Sequence, residues 1–129
     1  MAYVDIKNLL AHHEKNQCLA TLTAVRPPGR FGVVKFPCNG ESRIQSFEEK
    51  TDSNETWING GYFALNRGVF DYIKGGDSTI WEQEPLSNLA KENQLVGHKH
   101  FGFWSAMDTL RDKIYLEQLY AGKSPAPWL

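Results

Sequence analysis

The chain has 129 residues and a formal net charge of −1, with 14 Lys and Arg against 15 Asp and Glu. That length suits one domain able to bury its own core, and 41% apolar beside 22% charged residues is an ordinary globular mixture. The near-zero charge argues against electrostatic capture of nucleic acid or of an acidic membrane surface, and no apolar run approaches the roughly 20 residues needed to span a bilayer. The opening MAYVDIKNLL lacks the basic start and apolar stretch of a secretory signal, so a cytoplasmic setting is expected. Cys18 and Cys38 form no CxxC pair, which favours two reduced thiols over a zinc site.

The first predicted element is an amphipathic helix over VDIKNLLAHHEKN. Asp5 is its N-cap, Ile6, Leu9, Leu10 and His13 share one face, and Asn16 suits the stop. CLATLTAV, 18–25, is β-rich with little polar alternation, as in a strand of a parallel sheet buried on both faces. A helix followed by such a strand suggests part of a βαβ unit. RPPGRFG, 26–32, reads as a loop. Asn39-Gly40 lies between short β-prone runs and signals a hairpin. WINGGYFAL, 57–65, is a strand whose internal glycines mark a bulge or a close approach of the backbone to something else. NRGVFDYI reads as a short helix ended by the turn KGGD. Thr79 and Glu82 suggest a capping box for a helix to about Glu92, with Pro85 near a helical start. QLVGHKHFGF is a further strand. A last helix runs from Thr109 to about Ala121, with Leu110 and Ile114 on one face and Gly122 ending it.

Several segments carry residues suited to chemistry. Arg26 and Arg30 sit on a rigid loop and can grip phosphate, although two solvated arginines explain them as well. Lys50 can neutralise a phosphate and Glu49 can accept sugar hydroxyls, against the plainer reading of a surface charge pair. Asn59, Gly60 and Gly61 can present an amide and bare backbone to a small polar ligand. Asp108 is either the N-cap of the last helix or a magnesium ligand, or both. His98 and His100 fall on one strand face without a third metal ligand. There is no Ser–His–Asp pattern, Walker-type loop or dinucleotide fingerprint.

Taken together, LATLTAVRPPGRFG, FEEK, WINGGYF, VFDYI, EPLSNLA and GFWSAMDTLRDK resemble the glucose-1-phosphate cytidylyltransferases, in the same order, from about Val4 to Lys123. The resemblance implies an α/β fold: a Rossmann-like nucleotidyltransferase sandwich with a mixed central sheet. It implies the reaction of CTP with glucose 1-phosphate to give CDP-glucose and diphosphate, which feeds the 3,6-dideoxyhexoses of bacterial O-antigens. Lys50 and Asp108 then look catalytic, with Lys50 on the substrate phosphate and Asp108 on Mg2+. Glu49, Asn59 and Gly60 look like sugar contacts, and Arg111 is a weaker candidate for a structural or intersubunit role.

The family also has a Gly-rich loop that wraps the CTP phosphates and a GDG-type strand end that supplies the other magnesium ligand. Neither motif occurs here. The chain therefore resembles the C-terminal, sugar-phosphate-binding half, with the N-terminal nucleotide-binding half absent and the second Mg2+ ligand expected there. Glucose 1-phosphate is the implied partner, and CTP is one only together with the other half. Neither nucleic acid nor membrane is an expected partner. With that half absent, the strand 18–25 should lack a neighbour, and an open apolar edge favours a homo-oligomer. The isolated chain is expected to be inactive. Two other readings stay open: a non-catalytic sugar-phosphate-binding or subunit-association module, and a nucleotidyltransferase with other base or sugar preference.

Overall fold

The computed structural model describes residues 1–27, 33–35, 46–48 and 57–129. The chain forms two compact units. One comprises Met1–Val25 with Asn59–Leu129, the other Arg26–Ile58.

Helix α1, Ile6–Asn16, begins as its sequence predicts. Asp5 Oδ1 accepts the Asn8 N–H at 3.0 Å, and Gln17 closes the helix in the left-handed region at φ 51°. Its buried residues are Leu9 and His13, whereas Ile6 and Leu10 are exposed. The apolar stripe is thus narrower than the sequence pattern suggests.

Strand β1, Ala20–Val25, follows at once. Thr21, Thr23 and Ala20 have no exposed surface and Val25 almost none, because the strand has cover on both faces and both edges. Strand β5, Leu95–Lys99, lies parallel to β1, with Ala20 opposite Leu95 and Ala24 opposite Lys99. Strand β4, Ile58–Leu65, completes the sheet in the order β4–β1–β5. The expectation that residues 18–25 lack a neighbour is therefore wrong. β1 is the central strand, and the downstream residues supply both of its partners.

Successive residues of β1 point to opposite faces. On one side α1 packs against β1 and β5. On the other, Ala20 joins Val69 and Leu89 in a core cluster, with Tyr72, Trp81, Leu86 and Leu95 packed around it. Val69 belongs to a 3-10 helix, Arg67–Tyr72, where the sequence suggests a short helix. Leu89 belongs to α2, Glu84–Lys91. Pro85 stands at the start of α2, where its missing N–H costs nothing. The Thr79–Glu82 capping box does not form: Thr79 Oγ1 accepts the Gly75 N–H at 3.1 Å instead, stabilising a preceding 3-10 turn, Gly76–Ser78. Local turn geometry has taken the hydroxyl that the helix was expected to use.

Helix α3, Leu110–Tyr120, starts at a capping box made by Thr109 and Asp112. It buries Asp112 and Leu116. Leu110 and Ile114, expected to share one face, are 72% and 46% exposed, so that face is not packed on the core.

In the second unit, β2, Val33–Lys35, pairs antiparallel with β3, Ser46–Glu48, with Val34 opposite Phe47. This agrees with the hairpin signal, although Asn39-Gly40 itself lies outside the described residues.

Candidate functional site

Two of the predicted site segments meet in the first unit. The first is β4 at Asn59–Gly61. Asn59 is exposed and its Oδ1 accepts the Gly61 N–H at 2.8 Å. Gly61 has φ +83°, a conformation that L side chains rarely adopt. Gly60 is buried against β1, and a Cβ there would lie 2.8 Å from Val25 Cγ1 and 3.0 Å from the Thr23 carbonyl. Of the two readings of the glycines, the close approach of backbone holds at Gly60, and the approach is to the central strand.

The second segment is 103–108. The indole Nε1 of Trp104 donates to the Gly60 carbonyl at 3.0 Å. The backbone around Trp104 pairs with the start of the chain through an antiparallel bridge between Ala2 and Trp104. Tyr3 N–H donates to the Phe103 carbonyl at 3.1 Å, and Ser105 N–H to that of Met1 at 2.8 Å. The Met1 amino group donates to the Ser105 carbonyl at 2.7 Å. Sequence reasoning missed this pairing because three residues are too few to show strand periodicity.

Asp108 follows directly. It does not cap α3. Thr109 Oγ1 accepts the Asp112 N–H at 3.2 Å, while Asp112 Oδ2 accepts the N–H groups of Thr109 at 3.1 Å and Asp108 at 3.2 Å. Thr109-x-x-Asp112 is the sequence signal that would have placed the cap one residue later. The consequence is chemical: the exposed Asp108 carboxylate is not consumed in capping, and its backbone is anchored by the buried Asp112. One hard oxygen donor of this kind suits Mg2+, which is commonly held by one or two carboxylates plus phosphates and water. Among the described residues, no group of three His, Cys, Asp or Glu residues is placed to hold a metal ion.

The remaining candidates divide. Arg30, Glu49 and Lys50 lie outside the described residues. In the second unit, the Arg26 guanidinium lies over the Trp57 ring, 4.8 Å from its centroid, a cation–π contact. Arg111 is exposed on α3, in a shallow groove with Leu110, Ile114, Tyr115 and Gln118.

The histidines of the first unit build structure. His13 is buried, with Nδ1 2.8 Å from Thr21 Oγ1 and Nε2 3.2 Å from Asn66 Oδ1. Asn66 in turn donates through Nδ2 to the Cys18 carbonyl at 3.2 Å. His98 does not pair with His100. Its ring lies 5.0 Å from that of His12, while His100 Nε2 is 3.1 Å from the Phe103 carbonyl, past the end of β5. Burial pushes the His98 pKa below the usual imidazole range, and the neighbouring His12 and His100 act in the same direction.

The chain belongs to the nucleotidyl transferase family, whose model matches residues 1–105. Within that family it is 47% identical, over 99% of its length, to the glucose-1-phosphate cytidylyltransferase of Salmonella typhi, and covers 48% of that protein. It is 33% identical over 93% of its length to the probable glucose-1-phosphate cytidylyltransferase of Bacillus subtilis, covering 46% of it. A mannose-1-phosphate guanylyltransferase of Mycobacterium tuberculosis is 32% identical over 97% of the chain and 36% of that protein. The chain thus spans about half the length of the cytidylyltransferases it matches. Its fold resembles a Bacillus anthracis structure described as that of a glucose-1-phosphate thymidylyltransferase, with TM-score 0.55 and 18% identity, over 95% of this chain and 53% of that one. The mixed α/β architecture is accordingly part of a Rossmann-like nucleotidyltransferase fold.

Proposed function

We propose that this chain provides the sugar-phosphate side of a glucose-1-phosphate cytidylyltransferase. The observation that carries the reading is the hydrogen bond from Trp104 to Gly60. It brings the Asn59–Gly60 backbone, suited to sugar hydroxyls, together with the segment that ends at Asp108, whose carboxylate does not cap the helix. The 47% identity to a cytidylyltransferase supports this choice over mannose-1-phosphate guanylyltransferases at 32–34%.

In such a transfer an oxygen of the sugar phosphate attacks the α-phosphorus of the nucleotide and diphosphate leaves. No protein nucleophile is needed, so the protein's task is positioning and charge stabilisation. Lys50 would take the phosphate of glucose 1-phosphate, with Arg26 and Arg30 as further cationic candidates. Glu49, Asn59 and the backbone of Gly60 would orient the sugar. Asp108 would hold Mg2+, which when bound offsets phosphate charge. The pairing of residues 1–3 with 103–105 supports a second ligand from upstream. Were that antiparallel register to continue in a longer chain, residues before position 1 would run alongside 106–108. CTP would be bound only with the other half, and CDP-glucose would be the product, destined for dideoxyhexose-containing O-antigen. A cytoplasmic setting belongs to the same proposal; among the described residues, no helix is long and apolar enough to cross a membrane.

A homo-oligomer is part of the same proposal. β1 offers no open edge. The exposed Leu110, Ile114 and Tyr115 of α3 supply an apolar face instead.

Calorimetry with glucose 1-phosphate tests the reading. The wild-type chain should bind and Lys50→Ala should lose at least tenfold in affinity, as expected when a charged partner of a phosphate is removed. The isolated chain should make no CDP-glucose from CTP. Absence of binding to the wild type would reject the sugar-phosphate assignment.

A further inference from the structure

We propose that Trp104 is a positioning residue that couples the sugar side of the site to the Asp108 side, so that a change at Asn59–Gly61 is transmitted to residues 105–108. Two segments meet at its indole, and each is held firmly elsewhere. Gly60 rests against β1 so closely that even a methyl group would collide with Val25 and the Thr23 carbonyl. The backbone at 103–105 is fixed by its pairing with Met1–Tyr3. The bond from Trp104 Nε1 to the Gly60 carbonyl links the two.

At the β4 end the Gly60 Cα is the anchored part, and the part that can respond to a ligand is the peptide leading on to Gly61, beside the Asn59 side chain. Asn59 Oδ1 holds the Gly61 N–H at 2.8 Å, and the pair brackets the Gly60 peptide. A sugar hydroxyl that engages the Asn59 amide competes with that bond and reorients the Gly60 carbonyl. The indole N–H then follows its acceptor or loses it. Four residues on, the Asp108 N–H is held by Asp112 Oδ2, so the segment between Trp104 and Asp108 is short and anchored at both ends. A phenylalanine fills much of the same volume but has no N–H to carry the linkage.

The ligand arm of the test rests on the sugar-phosphate reading above, while the coupling arm does not. The coupling arm uses amide and indole NMR signals of the 15N-labelled full chain without ligand. Asn59→Ala should move the signals of the Trp104 indole, Met107 and Asp108. In a Trp104→Phe background the movement at Met107 and Asp108 should shrink to roughly a fifth or less, the non-additivity that marks coupled residues. Should Trp104→Phe fail to fold, benzothienylalanine at position 104 keeps the bicyclic ring and removes only the N–H. Equal movements with and without the indole N–H overturn the proposal. In the ligand arm, glucose 1-phosphate should shift both Asn59–Gly61 and Met107–Asp108 in the wild type, but only the former without the N–H. Shifts at both segments in the absence of the N–H also overturn the coupling. No shift anywhere in the wild type overturns the sugar-phosphate reading, and the ligand-free arm still decides the coupling.

Discussion

Helices α1 and α3 have the same length, 11 residues, and each begins at a side-chain N-cap, Asp5 in one and Thr109 in the other. Their environments differ. α1 lies on the sheet and pins itself there through His13, whose two ring nitrogens reach Thr21 of β1 and Asn66 after β4. α3 buries Asp112 and Leu116 but turns Leu110, Ile114 and Tyr115 outward. Capping is a local matter, settled within four residues of the helix start. Burial is set by what lies opposite, and the two helices show that equal starts do not ensure equal docking.

The largest test of this contrast is His13→Ala. It removes a buried ring and takes from the fully buried Thr21 hydroxyl its hydrogen-bond partner, so a loss of about 3 kcal/mol is expected from combined cavity and hydrogen-bond terms. Urea unfolding at neutral pH measures it, and a loss below about 1 kcal/mol would show that the network is not what holds α1 down.

Thr109→Ala should cost about 1 kcal/mol, the usual range for an N-cap. It should also raise amide exchange at Asp108 and Thr109, since both N–H groups depend on the Asp112 carboxylate that the cap orients. Unchanged exchange would separate Asp108 from the capping box.

A smaller effect concerns pH at the α1–β5 contact. The folded-state pKa of His98 is lowered, chiefly by burial, with His12 and His100 adding repulsion and Asp5 opposing it. Between the folded pKa and the ordinary value near 6.5, the unfolded chain binds the extra proton, so stability rises with pH. The His98 contribution is present above about pH 6.5 and is lost as pH falls through the folded pKa. The melting temperature should drop from pH 7 to pH 5, and His98→Gln should flatten that slope. An equally steep slope in the variant would place its origin in other groups.

The smallest effect on stability is expected at Leu110. As an exposed residue its change to Ser should shift monomer stability by no more than about 0.5 kcal/mol. If α3 is the self-association face, Leu110→Ser should nonetheless lower the light-scattering mass at high concentration. A mass equal to a monomer in both proteins would remove the oligomer from the proposal.

The secondary structure was largely legible where the signals were strong and local. Asp5, the run of residues 20–25 and Pro85 each stand in the role their chemistry suggests. The errors arose where two local uses compete. Thr79 was available both to a helix cap and to a 3-10 turn, and the turn took it. Asp108 and Thr109 were adjacent candidates for one cap, and only the partnership with Asp112 separates them. The apolar residues of α3 have helical spacing, but spacing says nothing of whether a partner lies opposite. Asn59, Gly60 and Asp108 stood out in the sequence by residue type alone, while the Trp104–Gly60 hydrogen bond was hidden because an indole N–H carries no sequence pattern.

What the sequence determined by itself is the helical and strand content around β1, the family resemblance and the residue types suited to a sugar phosphate. These rest on periodicity, capping and motif order, all of which are short-range. Only the tertiary structure decided that β1 is central rather than an edge, that the first three residues pair with 103–105, and that Gly60 and Trp104 meet. Such contacts join residues 44 to 104 positions apart, and their formation depends on the summed packing of the sheet rather than on any local preference.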